Sequence, residues 1–246
     1  MSSIQLISGE KGGVGKSVVA RLVAQYCIDS SVIFTALDGD RSHGALLRFY
    51  HEFSSPIDID QYESVDEIVN NALTTNQLVL VDLGAQSNNA LQKWIADNGL
   101  IELCQEINVP LVFWHVMDDG KDSVDLLEQL LDRFGSTVKY VVVKNKGRGK
   151  RFSIFDNSQA KEKALALNAH IMELDELYPN TMNKIDELNC SFWAAANNSD
   201  SKTGPCLSFL ERRRVKIWLE SSYRKLNETG CFTHQPMLAD VVDLRE

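Results

Sequence analysis

Two lysines, a serine and a cluster of glycines between Gly9 and Ser17 are the residues of this chain whose types and spacing most clearly do chemistry. Gly9-Glu10-Lys11-Gly12-Gly13-Val14-Gly15-Lys16-Ser17 follows the apolar run Ile4–Ser8. It opens into Ser17-Val18-Val19-Ala20-Arg21-Leu22-Val23, which has helical spacing. A strand, a glycine-rich turn and a helix start, in that order, form a phosphate cradle. Backbone N–H groups line such a loop, and the helix N-terminus adds partial positive charge. Gly12, Gly13 and Gly15 let the main chain approach phosphate oxygens. Lys16 belongs on the β- and γ-phosphates and the Ser17 hydroxyl on Mg²⁺. The pattern predicts a chain that binds a nucleoside triphosphate.

One position departs from the general motif, because Glu10 stands where a glycine is usual and the glycine is displaced to Gly9. Lys11 to Ser17 resemble, without a gap, the Lys-Gly-Gly-x-Gly-Lys-Ser/Thr signature of the deviant Walker A ATPases, the ParA/MinD family of partition and positioning proteins. The resemblance implies that Glu10, Lys11, Gly12, Gly13, Val14, Gly15, Lys16, Ser17 and Val18 surround ATP. It also implies that Lys11 reaches across a nucleotide-sandwich dimer to the partner subunit's ATP. Such a cation acts as an arginine finger does, where phosphoryl charge develops. Val18 replaces a threonine common in the family and removes one hydroxyl contact to the α-phosphate.

Hydrolysis also needs carboxylates near the metal and the attacking water. Ala36-Leu37-Asp38-Gly39-Asp40 ends an apolar run and resembles the family's Asp-x-Asp motif. By that resemblance Asp40 positions or activates the water, and Asp38 supports the magnesium shell and the nearby loop. A strand-end turn is the plainer reading of Asp-Gly. Arg41-Ser42-His43 replaces the Pro-Gln that many partition ATPases carry next. Leu78-Val79-Leu80-Val81-Asp82-Leu83-Gly84 reads as Walker B, with Asp82 holding Mg²⁺ through water. Gly84 then offers a backbone N–H to the γ-phosphate and serves as a switch pivot. The resemblance further places Asn145, at the end of the fifth apolar run, on the adenine edge. An amide has both the donor and the acceptor for that edge.

These residues need a scaffold, and the hydropathy pattern supplies one. Apolar blocks at Ile4–Ser8, Val32–Leu37, Leu78–Asp82, Leu111–Val116, Lys139–Val143 and Ala169–Leu174 alternate with helix-period segments. The segments are Lys16–Asp29, Val65–Thr74, Asn88–Asn98, Lys121–Arg133, Gln159–Leu167 and Leu207–Leu226. That alternation predicts an α/β fold, a mostly parallel twisted sheet with helices on both faces. We expect one P-loop domain over residues 1–246, with a nucleotide core over about 1–175 and a C-terminal helical segment over about 205–230. Residues 194–205 read as the most loop-like stretch.

At 246 residues the chain can bury a sheet on both faces. No run approaches the roughly 18 apolar residues of a membrane span, and no signal segment opens the chain. Five cysteines without a CxxC pair suit a reducing compartment. Both features lead us to expect a cytoplasmic protein. The five histidines form no ligand cluster. Net charge is −9, against the sign expected of a dedicated nucleic-acid binder.

Two local basic runs nevertheless stand out. One is Lys144, Lys146, Arg148, Lys150 and Arg151; the other includes Arg212, Arg213, Arg214 and Lys216. The family resemblance makes both candidates for nonspecific DNA contact, although charge runs are commonly only solvated faces. The acidic C-terminus disfavours anionic lipid. The expected function is an ATP-dependent dimerising ATPase switch, with Mg²⁺, that positions or segregates DNA in plasmid partition or stability. A ParB-like or other adaptor protein would stimulate it. The alternatives are a nucleotide-gated adaptor of conjugation, a P-loop small-molecule kinase or synthetase, and a metal-cluster carrier.

Overall fold

Leu78-Val79-Leu80-Val81 is apolar at every position because both of its faces are covered. Leu78 and Leu80 enter one core, Val79 and Val81 the other. The computed structural model describes residues 2–9, 11–40, 44–75, 77–85, 87–199 and 206–232. Within them lie strands β1 (Ser3–Ser8), β2 (Phe34–Asp38), β3 (Ser54–Pro56), β4 (Leu78–Asp82), β5 (Leu111–Met117), β6 (Lys139–Asn145) and β7 (His170–Leu174). All pair in parallel, in the order β3-β2-β4-β1-β5-β6-β7.

Helices cover both faces, as the pattern predicts. On one face are α1 (Lys16–Asp29) and α2 (Ala45–Phe49). The other face carries α3 (Tyr62–Val65), α4 (Glu67–Thr75), α5 (Asn88–Asp97), α6 (Leu100–Glu106), α7 (Lys121–Phe134), α8 (Ser153–Asp156) and α9 (Gln159–Ala166). The first face is completed by α10 (Pro179–Glu187), α11 (Phe192–Asn197) and α12 (Phe209–Glu228). Trp114 and Phe113, neighbours on β5, illustrate the division: Trp114 packs with Phe232 and Phe113 with Phe134.

β1 is the centre of the topology. β4 pairs with one edge of it and β5 with the other, so the crevice at its C-terminal end is where a doubly wound sheet binds its ligand. Gly9–Ser17 leaves β1 at that crevice. Among the described residues no helix is long and apolar enough to cross a membrane.

Several elements escape the hydropathy pattern. β3 is Ser54-Ser55-Pro56, an edge strand held by pairing with β2 rather than by apolar content. The stretch expected as loop from residue 194 begins inside α11, which Ser191 caps through its side chain. Residues 200–205 and the tail from residue 233 lie outside the described residues, as do Glu10 and Arg41-Ser42-His43.

Candidate functional site

Gly15 caps α1 with φ +96°, and a side chain there would meet the Asn145 amide nitrogen at 2.2 Å. Only glycine satisfies both constraints. Asn145, at the end of β6, donates from Nδ2 to the Val14 carbonyl at 2.8 Å and accepts from the Gly147 N–H at 3.0 Å. Its amide therefore pins the phosphate loop to β6. One N–H and one oxygen lone pair remain for a base edge.

Lys16 opens α1 and is buried, with Nζ 3.3 Å from the Lys11 carbonyl. Burial pulls its pKa down, opposed by the charges of Asp82 and Asp40. Ser17 and Val18 are half-buried on the same turn, and Gly12 and Gly13 are exposed at the loop's tip.

Asp38 and Asp82 end neighbouring strands as register partners. Asp38 accepts from the Asp40 N–H at 3.0 Å with one oxygen, and from the Leu46 and Leu47 N–H groups at 2.9 and 3.1 Å with the other. It therefore fastens α2 to the end of β2. Both of its oxygens bond backbone donors in this arrangement. Burial raises the Asp38 pKa and these three bonds oppose the rise.

Asp82 has no such partners. Both of its carboxylate oxygens are buried without a hydrogen bond, and Ser17 approaches without reaching hydrogen-bond geometry. Burial, with Asp38 adding to it, pushes the Asp82 pKa up to about 8. An unpartnered buried carboxylate beside a serine hydroxyl is a donor set that suits Mg²⁺, which takes oxygen ligands. Gly84 lies two residues on, its carbonyl accepting from Ser87 Oγ at 2.8 Å. A side chain on Gly84 would come within 3.1 Å of the Gly39 carbonyl, so the loops after β2 and β4 touch here.

Lys11 points away from this centre. Its Nζ sits 2.8 Å from Asp118 Oδ2, at the end of β5, and 4.0 Å from Asp122. The contact raises the Lys11 pKa. Asp118 belongs to no sequence motif named above, although it follows an apolar strand at the same sheet edge as Asp38 and Asp82.

Arg148 sits in a different neighbourhood from the rest of its basic run. It lines the cleft beside the phosphate loop with Val18, Asn145, Asp175, Glu176 and Trp218. The other members of the run are largely neutralised. Lys144 is buried against Asp156 and Glu173, each at 3.1 Å, and Lys146 pairs with Glu173 and Asp175. Lys150 pairs with Glu176, while Arg151 is exposed without an ion pair among the described residues. Three of the five cations are thus held in ion pairs.

The second run keeps its charge outward. Arg213, Arg214 and Lys216 are exposed on α12 without ion pairs among the described residues; Arg214 lies over the Tyr178 ring and Arg212 donates to the Leu207 carbonyl.

No protein-family model matches the chain. In sequence it is similar to MobD of Acidithiobacillus ferrooxidans, 25% identical over 163 residues that make up 65% of this chain and 71% of MobD. It is 27% identical to TraL of Escherichia coli over 154 residues, 58% of this chain and 62% of TraL. The match thus spans less than two thirds of TraL. In structure it resembles the septum site-determining protein MinD of Pyrococcus horikoshii OT3, solved with Mg-ADP. The TM-score is 0.51 at 11% identity, over 92% of this chain and 98% of MinD. The chain has the MinD fold. In that all-parallel sheet the residues described above gather at the carboxyl ends of β1, β2, β4, β5 and β6.

Proposed function

We propose that this chain is a Mg·ATP-dependent molecular switch that dimerises around ATP and resets by slow, partner-stimulated hydrolysis. The observation that carries the reading is the division of labour between two lysines of one loop. Lys16 is buried beside Asp82 and Asp40, where the chain's own triphosphate would lie. Lys11 instead pairs with Asp118 at 2.8 Å, and in this reading it serves the partner subunit's phosphate. A small-molecule kinase has no use for that second lysine.

In this reading the loop from Gly12 to Val18 cradles the phosphates. Ser17 and Asp82 hold Mg²⁺, which neutralises phosphate charge when bound. Asp40 orients or deprotonates the attacking water, and Gly84 reports the γ-phosphate to its loop. Asn145 and Arg148 face the nucleoside. Asp38 acts indirectly, by holding α2. The chain works as one P-loop domain with α12 as its C-terminal arm.

Similarity to MobD and TraL, proteins of plasmid mobilisation and transfer, supports a plasmid-borne role. It favours service to conjugation over partition, with a cytoplasmic protein recruiting an adaptor. Nonspecific DNA contact would then run through Arg213, Arg214 and Lys216.

Light scattering with Mg·ATP, with ADP and without nucleotide, on wild type and Lys11→Ala, tests the switch. An ATP-only dimer that Lys11→Ala abolishes supports it. A mass that neither nucleotide nor the substitution changes refutes it. The second reading, a nucleotide-gated adaptor without turnover, predicts that Asp40→Ala leaves partner recruitment intact.

A further inference from the structure

The contact between Lys11 and Asp118 is a built site. Asp118 divides its two oxygens: Oδ1 accepts from the Gly120 N–H at 3.1 Å and from Ser123 Oγ at 2.7 Å, while Oδ2 faces Lys11. The start of α7 thus fixes the carboxylate before the lysine arrives. Burial alone would raise the Asp118 pKa, yet the bonds from Lys11 and Ser123 leave it lowered. Gly120 clears the approach, since a side chain there would come within 2.9 Å of Lys11 Nζ.

The turn itself is clamped from the other side. Asp119 accepts from the Lys150 and Arg151 N–H groups at 2.8 and 3.1 Å. That closeness requires glycine at position 149, where a side chain would meet Asp119 within 2.5 Å. The acid facing Lys11 is consequently held from two directions. Asp122, exposed and 4.0 Å away, adds negative charge on the same side.

We propose that Asp118 is a positioning residue, the resting counter-ion that keeps Lys11 on its own subunit. Exchange of Asp118 for the partner-bound γ-phosphate then sets the ATP concentration at which the protein dimerises. The inference rests on the dimer-switch reading. Lys11 cannot serve both anions, so the resting pair competes with the dimer contact. A half-buried ion pair of this kind, still reached by solvent, shifts an equilibrium by only a few-fold, the range useful for a threshold rather than a block.

Two measurements decide it. In nucleotide-free protein, brief acylation with acetic anhydride followed by mass spectrometry reads the reactivity of the Lys11 amine. Asp118→Asn is expected to increase it several-fold, with Asp118→Glu restoring the slow rate. By light scattering, Asp118→Asn is expected to lower the ATP concentration for half-dimerisation roughly twofold to fivefold. Asp118→Glu should return it toward wild type, and Lys11→Ala/Asp118→Asn should behave as Lys11→Ala.

A wild type that remains monomeric at saturating Mg·ATP refutes the switch and the proposal together. A dimerising wild type whose threshold Asp118→Asn leaves unchanged, or raises, refutes the proposal alone. Should Asp118→Asn fail to fold, the Asp118→Glu threshold and its acylation rate carry the comparison, and a large departure of either from wild type overturns the counter-ion role.

Discussion

Asp38 and Asp82 stand opposite one another on β2 and β4, yet one carboxylate accepts three backbone N–H bonds and the other none. Identical side chains at equivalent strand ends are thereby assigned to different work. Asp38 is spent on the protein's own backbone, and Asp82 is left with its oxygens open toward Lys16 and Ser17.

This asymmetry predicts opposite phenotypes. Asp38→Ala removes the acceptor of one buried and two half-buried donors and should cost about 2 kcal/mol, seen as a fall of roughly 4–8 °C in Tm without nucleotide. Asp82→Asn should leave that Tm unchanged or higher, while the stabilisation by Mg·ATP disappears. EDTA should imitate Asp82→Asn in wild type. If Asp38→Ala instead removed the Mg·ATP effect at unchanged Tm, the two roles would have to be exchanged.

The cleft beside the phosphate loop is shaped from the C-terminal helix. Trp218 Nε1 donates to the Asp175 carbonyl at 2.7 Å, and Lys225 pairs with the Asp175 carboxylate. Trp218→Phe keeps the ring packing on Phe192 but frees the loop after β7. Loss of one such bond corresponds to about 1 kcal/mol, so ATP affinity should fall roughly fivefold. Tripolyphosphate, which has no base, should bind as before. Equal weakening of both ligands by calorimetry would show that Trp218 does not shape the base cleft.

The two basic runs should separate cleanly. Arg213→Ala/Lys216→Ala should lower nonspecific DNA retention and flatten its salt dependence by about 0.9 in log–log slope for each phosphate no longer neutralised. Lys150→Ala, which frees Glu176, should leave retention unchanged. Retention that survives the first variant and fails in the second would move the DNA surface to the loop after β6.

What the sequence made legible was local. The turn from β1 into α1 follows from residues adjacent in the chain, and Lys16–Asp29 is a helix over the expected range. β4 and its Asp82 are equally readable, since a strand covered on both faces is apolar at every position. The first basic run misleads because its neutralising acids arrive much later. Lys144 meets Glu173 only through the register of β6 with β7. The Lys11–Asp118 pair is hidden for the same reason, since neither residue's neighbours in sequence name the other. β3 cannot be seen at all, because Ser54-Ser55-Pro56 becomes a strand only by borrowing β2.

Stability at α12 should depend on pH in a direction the capping geometry fixes. Ser208 and Glu211 form a reciprocal capping box, and Lys184 adds an ion pair at 2.6 Å. The Lys184 contact, with the Ser208 bonds, holds the Glu211 carboxyl down to about 2. A depressed carboxylate pKa stabilises the fold above the ordinary Glu value of about 4.3, and that stabilisation is lost as pH falls toward about 2. Glu211→Gln should therefore cost up to about 1 kcal/mol at pH 7, the scale of a cap plus a surface pair. Urea midpoints of wild type and variant should converge between about pH 4.3 and pH 2. A gap as wide at pH 3 as at pH 7 would mean that the glutamine loses packing rather than charge, and would assign the stability of this helix start to Ser208 alone.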